Sequence, residues 1–299
     1  MLPIDLHSHS SYSDGSHSPE QLVREARRLG LAAIALTDHD TMAGVSEAIN
    51  AGVKYHVEVI PGIEISTIQD GQPIHVLGYG AAPEHPGLRK LIRELAAFRE
   101  TRNLGILARL ERLGIHLDYV ELTASTVGLI GRPHIARQLV RQGHASSIAQ
   151  AFRRFLQRNA QAYVSVSKFP AAEAIKQIQE AGGLAVLAHP TTIDKNLKGV
   201  AALVKKLSES GLGGIEVFYP GHSQKICQRL LYQCEQHHLV VTGGSDFHGS
   251  LKPEIQLGGA PIMPPIPYRL LEELKMRLVG KNKPTVNESQ SPSQGQTIW

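Results

Sequence analysis

Short apolar runs recur along the chain, and most are separated by segments in which apolar residues return with helical spacing. The runs are rich in Val, Ile, Leu and Ala and lie at residues 3–6, 31–36, 57–60, 74–79, 184–188, 214–218 and 239–242. The helical spacing predicts helices near residues 18–29, 42–54, 171–181, 197–210, 223–237 and 267–279. Strands that alternate with helices in this way predict an α/β fold built from parallel β/α units.

One connection interrupts this alternation of strands and helices. Between Tyr79 and Leu184 the chain passes through several amphipathic segments that contain no convincing buried strand. We therefore predict a helical insertion over residues 86–165, which divides the α/β fold into a first part over 1–85 and a second part over 166–280. Residues 281–299 are polar, contain Pro and have almost no core-forming side chains, so we expect a flexible tail.

Composition narrows the class of protein without identifying a partner. The chain has 299 residues, of which 42% are hydrophobic, and this is enough for a packed core. No basic segment followed by a long apolar run begins the chain, and no uninterrupted apolar stretch is long enough to span a membrane. We therefore expect a cytoplasmic protein with no membrane association, and no feature indicates an obligate protein partner.

The positive charge is uneven although the formal net charge is only +4. Arginines are concentrated between residues 89 and 158, where a local anion-binding surface is possible. Those that recur along the predicted helices are best explained, for the most part, as a charge-rich solvated face. They are Arg89, Arg93, Arg99, Arg102, Arg109 and Arg112.

Side chains that bind metal ions lie at the ends of the predicted strands. His7 and His9 are separated by one residue at the end of the first strand, so both project from the same face. In a parallel barrel the carboxyl ends of the strands converge on one face, where active sites are built. We therefore expect the following residues to be neighbours of this pair: Asp14, His39, Glu64, His75, His189, Asp246 and His248.

Together these motifs resemble the PHP (polymerase and histidinol phosphatase) family over essentially the whole chain apart from the insertion and the tail. The residues that carry the resemblance are Asp5-Leu6-His7-Ser8-His9, Leu36-Thr37-Asp38-His39-Asp40-Thr41, Gly62-Ile63-Glu64-Ile65-Ser66, Ala188-His189-Pro190 and Ser245-Asp246-Phe247-His248-Gly249. The resemblance implies a distorted, TIM-like (β/α)7 barrel of the PHP type with a helical insertion. It also implies a metal centre that binds three divalent ions.

The resemblance assigns ligands to each ion. His7, His9, Glu64 and Asp246 would hold the first, Glu64 would bridge to a second completed by His75 and His189, and the third would bind Asp14, His39 and His248. Three divalent ions bound by six neutral imidazoles and three carboxylates leave roughly three positive charges, which favours a phosphate as substrate. Mixed nitrogen and oxygen ligands suit Mn²⁺, Fe or Zn better than Mg or Ca, and the resemblance favours Mn²⁺.

A finer resemblance points to nucleoside 3',5'-bisphosphate phosphatases and 5'-to-3' exoribonucleases. It rests on Ser13-Asp14-Gly15, residues 36–41, Gly131-Arg132-Pro133-His134 in the insertion, and residues 245–249. It implies hydrolysis of the 3'-phosphoester of a substrate that carries a 5'-phosphate, either a nucleoside bisphosphate or short RNA. Arg132 and His134 would bind the substrate's phosphate, with Lys168 and His222 as further candidates for substrate contact.

Three other functions remain open. The first is another PHP phosphatase, such as one that acts on histidinol phosphate, because metal ligands indicate the reaction and not the leaving group. The second is a non-catalytic metal-binding accessory module, as PHP domains attached to DNA polymerases can be. The third is hydrolysis of an amide or lactone, which similar metal barrels perform, although the arginines of the insertion favour phosphate.

Overall fold

The structure is a computed structural model in which residues 2–124, 126–165, 169–259 and 261–281 are described. The strands are β1 (Pro3–Ser8), β2 (Ala33–Leu36), β3 (Glu58–Gln69), β4 (Gln72–Tyr79), β5 (Leu184–Leu187), β6 (Gly214–Phe218), β7 (Val240–Gly243) and β8 (Ile266–Pro267). The helices are α1 (Pro19–Arg28), α2 (Val45–Tyr55), α3 (Pro86–Glu111), α4 (Tyr119–Ala124), α5 (Arg132–Arg141), α6 (Ile148–Ala151), α7 (Ala171–Glu180), α8 (Val200–Glu209), α9 (Gln224–Gln236) and α10 (Arg269–Lys281).

The strands form one sheet that curls into a nearly closed barrel. Their order is β7-β6-β5-β4-β3-β2-β1-β8, so sequence neighbours are also neighbours in the sheet from β1 to β7. The predicted α/β class and barrel are confirmed, and β1 to β7 correspond to the seven predicted apolar runs. The sequence analysis did not anticipate β8, which is only two residues long.

The prediction that the strands are parallel is wrong for β4. This strand pairs antiparallel with both β3 and β5. β3 extends well past the barrel and returns through Asp70-Gly71, which have φ values of 50° and 74°. An Asp-Gly pair with positive φ at both positions is typical of a two-residue hairpin turn, so the chain reverses here without a crossover helix.

The barrel closes where the chain after β7 returns to β1. Backbone hydrogen bonds run from Asp246 N to His7 O (2.9 Å) and from His9 N to Phe247 O (3.0 Å). Gly244 lies so close to β1 that a Cβ atom there would come within 2.3 Å of His7 Cβ. The segment after β7 is thus joined to β1 beside His7 and His9.

Helices cover the outside of the barrel, and α1 shows how the sequence forms them. Ser18 caps this helix by accepting a hydrogen bond from Gln21 N (3.2 Å), and Pro19 occupies the first turn. Leu22 and Val23 are fully buried in the layer between helices and sheet. Burial of an aliphatic side chain of this kind stabilises the fold by about 1.5–3 kcal/mol.

The segment predicted to be an insertion is helical in its described residues. It contains α3 to α6 and a short π-helix, Phe152–Leu156. These helices pack around an apolar cluster of their own that includes Ile106, Leu110, Ile135 and Phe155. The division of the chain into domains stays a prediction.

Two further predictions concern the ends of the chain and the membrane. The predicted tail, apart from Lys281 at the end of α10, lies outside the described residues. Among the helices of the described residues, none is long and apolar enough to cross a bilayer. The cytoplasmic location stays a prediction.

Candidate metal centre and the cavity above it

The carboxyl ends of the barrel strands bring all nine predicted metal ligands together. His7 and Glu64 lie on β1 and β3, and the other ligands from parallel strands lie in the segments that follow them. His75 is the exception, because it lies near the start of β4. Since β4 runs antiparallel to its neighbours, its first residues lie at the level where those neighbours end.

The first group of ligands consists of His7, His9, Glu64 and Asp246, all buried. His9 Nε2 lies 3.1 Å from His7 Nε2, 3.2 Å from Asp246 Oδ1 and 3.3 Å from Glu64 Oε2. Two ring nitrogens and two carboxylate oxygens thus face one point. This donor set matches the resemblance-based assignment of the first ion.

Glu64 faces two further groups with its two oxygens. Oε1 lies 2.7 Å from His75 Nδ1 and 2.8 Å from His189 Nε2, and Oε2 lies 2.9 Å from His39 Nδ1. A carboxylate whose two oxygens face different sets of imidazoles has the arrangement of a bridging ligand.

The third group surrounds Asp14. His248 Nε2 lies 3.2 Å from Asp14 Oδ1, and His39 Nε2 lies 3.9 Å from Asp14 Oδ2. His9 Nδ1 is 3.9 Å from Asp14 Oδ1, so His9 contributes to this group as well as to the first. The sequence analysis did not anticipate that His9 faces both groups.

Buried atoms without partners show that these residues suit a metal ion. Asp14 Oδ1, Glu64 Oε2 and His39 Nδ1 are buried and have no hydrogen-bond partner. Leaving such atoms unpaired is costly, and cations bound beside them would satisfy them. The donor set of imidazole and carboxylate is also the one that divalent transition metals prefer.

The electrostatics favour the protonation states that metal binding requires for three of the ligands. Burial by itself would lower the pKa values of His7 and His9, but the surrounding carboxylates outweigh it and raise both. Burial by itself would raise the pKa values of Asp14 and Glu64, but the surrounding imidazoles outweigh it and hold both well below the usual range. Burial lowers the pKa of His39 to about 4. Ionised carboxylates and a neutral imidazole are the forms that coordinate metal ions.

A buried acid behind the candidate metal centre, Glu216, contacts two of the ligands. Glu216 accepts a hydrogen bond from His7 Nδ1 (2.8 Å) and another from His189 N (2.7 Å). With Nδ1 occupied, His7 presents Nε2 to the first group. The sequence analysis missed Glu216, although a lone acid inside the apolar run Gly214–Phe218 was a signal for it.

Asp246 is held in a similar way from the cavity side. Its Oδ2 accepts hydrogen bonds from Lys252 Nζ (2.6 Å) and from the Tyr219 hydroxyl (3.3 Å). These contacts leave Oδ1 facing His7 and His9. The sequence analysis also missed Lys252 and Tyr219, although Tyr219 directly follows β6.

A cavity of about 740 Å³ lies over the candidate metal centre. The barrel contributes ligands to its floor, while helices of residues 86–165 and the segment after β7 form its walls. The lining residues outside the metal-binding groups include Arg99, Arg102, Arg132, Pro133, Ile148, Phe152, Tyr219, Leu251 and Lys252. A cavity with a charged floor and a partly apolar wall is suited to a small charged substrate.

The predicted substrate contacts occupy different places. Arg132 lines the cavity, as expected for a residue that contacts substrate. His134 is not among the lining residues, and its Nδ1 accepts a hydrogen bond from Gly131 N (3.0 Å) at the start of α5. His222 also lies outside the lining, where it donates through Nδ1 to Val217 O (2.8 Å). Lys168 lies outside the described residues.

The expectation of a solvated arginine face is wrong for two residues of α3. Arg99 and Arg102 are only 8% and 5% exposed, and both line the cavity. The spacing of charges on a helix could not reveal this, because the residues that bury them come from distant parts of the chain. Arg93 and Arg109, on the same helix, are exposed as predicted.

Comparisons with known proteins agree with this architecture. The model of the PHP domain family matches residues 5–252. A 5'-3' exoribonuclease of Haemophilus influenzae is 37% identical over 82% of this chain and 89% of its own length. A 3',5'-nucleoside bisphosphate phosphatase of Chromobacterium violaceum is 31% identical over 93% of this chain and 99% of its own length. The crystal structure of a candidate metal-dependent phosphoesterase from Bifidobacterium adolescentis superposes with a TM-score of 0.82, at 30% identity, over 93% of this chain and 98% of that one.

Proposed function

Because the chain belongs to the PHP domain family, we propose that it is a metal-dependent phosphoesterase that hydrolyses the 3'-phosphoester of nucleotides carrying a 5'-phosphate. The observation that supports this most directly is the convergence of nine candidate metal ligands, most of them buried, beneath a cavity whose wall carries arginines. The two relatives described above act, by name, on RNA and on nucleoside bisphosphates.

Both substrates undergo the same reaction in different contexts. In a nucleoside 3',5'-bisphosphate the 3'-phosphate is a monoester, and inorganic phosphate is released. In RNA it is a diester, and a 5'-mononucleotide is released. A single site that recognises the 5'-phosphate and cleaves on the 3' side therefore acts as a phosphatase or as a 5'-to-3' exoribonuclease.

The proposed metal centre binds three divalent ions, with Mn²⁺ as the first choice and Fe or Zn as alternatives. His7, His9, Glu64 and Asp246 hold one ion, Glu64, His75 and His189 a second, and Asp14, His39 and His248 a third. When bound, divalent ions polarise phosphoryl oxygens and lower the pKa of water. The protein holds the carboxylates of Asp14 and Glu64 ionised, and Glu216 keeps Nε2 of His7 directed at the site.

On the substrate side, Arg132 is proposed to contact a phosphate from the wall of the cavity. Its planar guanidinium can donate two hydrogen bonds to one phosphate group. His134 and His222 stay weaker candidates because both already make a hydrogen bond through Nδ1 and neither lines the cavity. The proposal for Lys168 rests on the sequence alone.

The first test measures phosphate and nucleotide release with manganese from adenosine 3',5'-bisphosphate, 5'-phosphorylated oligoribonucleotide and histidinol phosphate. We expect turnover of the first two, and loss of both activities in His39→Ala. Turnover of histidinol phosphate alone would contradict the substrate assignment. Metal binding without turnover of any phosphoester would favour the accessory-module function instead.

A further inference from the structure

The positive charge of the chain is concentrated in one part of the insertion. Residues 122–172 contain seven Lys and Arg and no Asp or Glu. The whole chain has 31 Lys and Arg against 27 Asp and Glu, so the chain outside this segment is net negative. Like charges within one segment repel each other, and a bound polyanion relieves that repulsion. The positions of these side chains therefore show what the segment can bind.

The basic residues of this segment fall into two sets. Arg132 lines the cavity together with Arg99 and Arg102 of α3, and these three form the arginine cluster. The other described arginines of the segment are exposed and do not line the cavity. We call them the outer arginines: Arg137, Arg141, Arg153, Arg154 and Arg158. They have no part in the reaction proposed at the metal centre and need an explanation of their own.

Helix α5 leads from the cavity to the outer surface. Pro133 lines the cavity in the first turn of this helix. Arg137 and Arg141 follow it at intervals of four residues, so all three lie on one face of α5. At a rise of about 1.5 Å per residue, Arg137 lies roughly 6 Å and Arg141 roughly 12 Å further along the helix axis than Pro133. Positive charge thus continues outward from the cavity along this face.

A second connection runs through the short π-helix. Phe152 lines the cavity and is only partly buried, and the next two residues, Arg153 and Arg154, are exposed. An aromatic ring beside basic side chains is the combination with which proteins bind single-stranded nucleic acids, because bases stack on the ring while the cations contact the backbone. The edge of the cavity therefore has both kinds of contact.

Two of the outer arginines are available to a ligand. Among the described residues, no hydrogen bond or ion pair involves Arg137 or Arg153. Arg154 differs, since its Nη1 donates to His144 O (2.7 Å). Substitution of Arg137 and Arg153 therefore removes positive charge from the surface without removing a polar contact within the described fold.

The cavity is too small for a long substrate, so such a substrate has to continue outside it. Its volume of about 740 Å³ is that of a site for one small molecule. The wall formed by the segment after β7 carries an acid, Glu254, and its Lys252 is paired with Asp246. The wall formed by residues 122–172 carries no acid. A phosphodiester backbone that leaves the cavity is therefore attracted to the insertion.

We propose that the outer arginines bind the phosphodiester backbone of single-stranded RNA on the 3' side of the nucleotide held in the cavity. This inference rests on the proposed function, because it assumes that the nucleotide to be cleaved lies over the metal centre. Contacts to the backbone carry no sequence information, so they increase affinity for any RNA sequence. They make an oligoribonucleotide a better substrate than a nucleoside bisphosphate, which makes no contact outside the cavity.

The decisive variant is Arg137→Gln/Arg153→Gln, and the matched control is Arg24→Gln/Arg27→Gln, which removes two charges from the exposed side of α1. The substrates are adenosine 3',5'-bisphosphate and 5'-phosphorylated oligoriboadenylates of two and eight nucleotides, with manganese added. In the wild type, kcat/KM should rise from the shorter to the longer oligonucleotide. The decisive variant should lower kcat/KM for the octanucleotide about 5- to 30-fold and for the bisphosphate less than about 2-fold. The control should match the wild type on all three substrates.

The dependence on salt gives a second test of the same variant. Each phosphate contact to a single strand adds about 0.7 to the slope of log affinity against log salt concentration, so loss of two contacts makes the slope shallower by roughly 1.4. This change should occur for the octanucleotide and not for the bisphosphate. A third measurement does not depend on turnover: fluorescence anisotropy of a 3'-labelled, 5'-phosphorylated octanucleotide with chelator-treated, full-length protein should show the same weakening in the decisive variant.

The outcomes separate this inference from the proposed function. Selective loss on the octanucleotide, with a shallower salt slope, supports the RNA-binding surface. Equal loss on octanucleotide and bisphosphate, or the same loss in the α1 control, overturns it even if the enzyme is a nucleotidase. Binding of phosphatidylglycerol vesicles in preference to the octanucleotide also overturns it, because the surface would then bind a membrane. If the wild type cleaves no nucleotide, the proposed function fails, and the anisotropy measurement alone supports or overturns the surface.

Discussion

The cluster of metal ligands and the cluster of arginines face the same cavity but differ in how they are built. The ligands come from the ends of barrel strands and combine imidazoles with carboxylates. The arginines come from helices outside the barrel and share a single carboxylate. Each cluster contains buried polar atoms without partners, Glu64 Oε2 in the first and Arg102 Nε in the second.

This difference shows which kind of ion each cluster needs to pair its buried atoms. The unpaired atoms of the barrel cluster include two carboxylate oxygens, so cations complete it. The unpaired atom of the arginine cluster is a cationic donor, so an anion completes it. A phosphorylated nucleotide bound to a metal-loaded centre satisfies both, which is why the two clusters are best tested by substitutions that affect one and not the other.

The largest effect is expected for Glu64→Gln. The substitution keeps the shape of the side chain but removes the charge of the carboxylate that faces two ligand groups. Turnover should fall roughly 1,000-fold, since several kcal/mol of transition-state stabilisation depend on the ions. Phosphate release and the metal content of the purified protein measure this. Glu235→Gln, at an exposed position of α9, serves as the control, and an unchanged metal content in Glu64→Gln would contradict the bridging role.

A smaller effect is expected for Glu216→Gln. The amide can still accept one of the two hydrogen bonds, but it no longer carries the charge that orients His7. Loss of a group that orients a metal ligand typically costs about 10- to 100-fold in metal affinity or activity. Titration of the metal-free variant with Mn²⁺ checks this. Normal metal affinity together with low stability would instead identify Glu216 as a purely structural residue.

Closure of the barrel is tested by Gly244→Ala. The added Cβ would lie 2.3 Å from His7 Cβ and 2.4 Å from His7 N, so β1 or the segment after β7 has to move. We expect the free energy of unfolding to fall by about 2–3 kcal/mol, and the metal affinity to fall with it. Denaturant unfolding measures the first quantity. In Gly199→Ala, where a Cβ meets no atom within 4 Å, stability should change little.

The smallest effect is expected for His134→Ala. Since His134 Nδ1 caps the start of α5, its loss should lower the free energy of unfolding by about 1 kcal/mol. KM for adenosine 3',5'-bisphosphate should stay close to the wild-type value, whereas Arg132→Ala should raise it. A large rise of KM in His134→Ala, with stability retained, would instead support the prediction that His134 contacts the substrate.

The same contrast explains what could be predicted from the sequence. The metal ligands were predictable because a polar residue at the end of an apolar run has a known position in a barrel. His75 was named for its residue type, but the direction of β4 was not foreseen, although Asp70-Gly71 was a hairpin signal. The site roles themselves stay predictions until variants are measured.

The arginines were harder for a physical reason. On a helix, an arginine that faces solvent and one that faces a cavity have the same local sequence pattern, and only tertiary packing distinguishes them. Arg93 and Arg99 illustrate this, since both lie on α3 and only Arg99 is covered. Asp40, which pairs with Arg99, follows a ligand in the motif at residues 36–41 and so gave no separate signal.

The hydrogen bonds that join β1 to the segment after β7 also have a consequence for synthesis of the protein. During translation His7 and His9 leave the ribosome early, whereas Asp246 and His248 emerge only when most of the chain has been made. Under the proposed ligand set, an incomplete chain has histidines but no complete metal centre. If the proposed function is right, the enzyme cannot hydrolyse phosphoesters near its own ribosome until its barrel has closed.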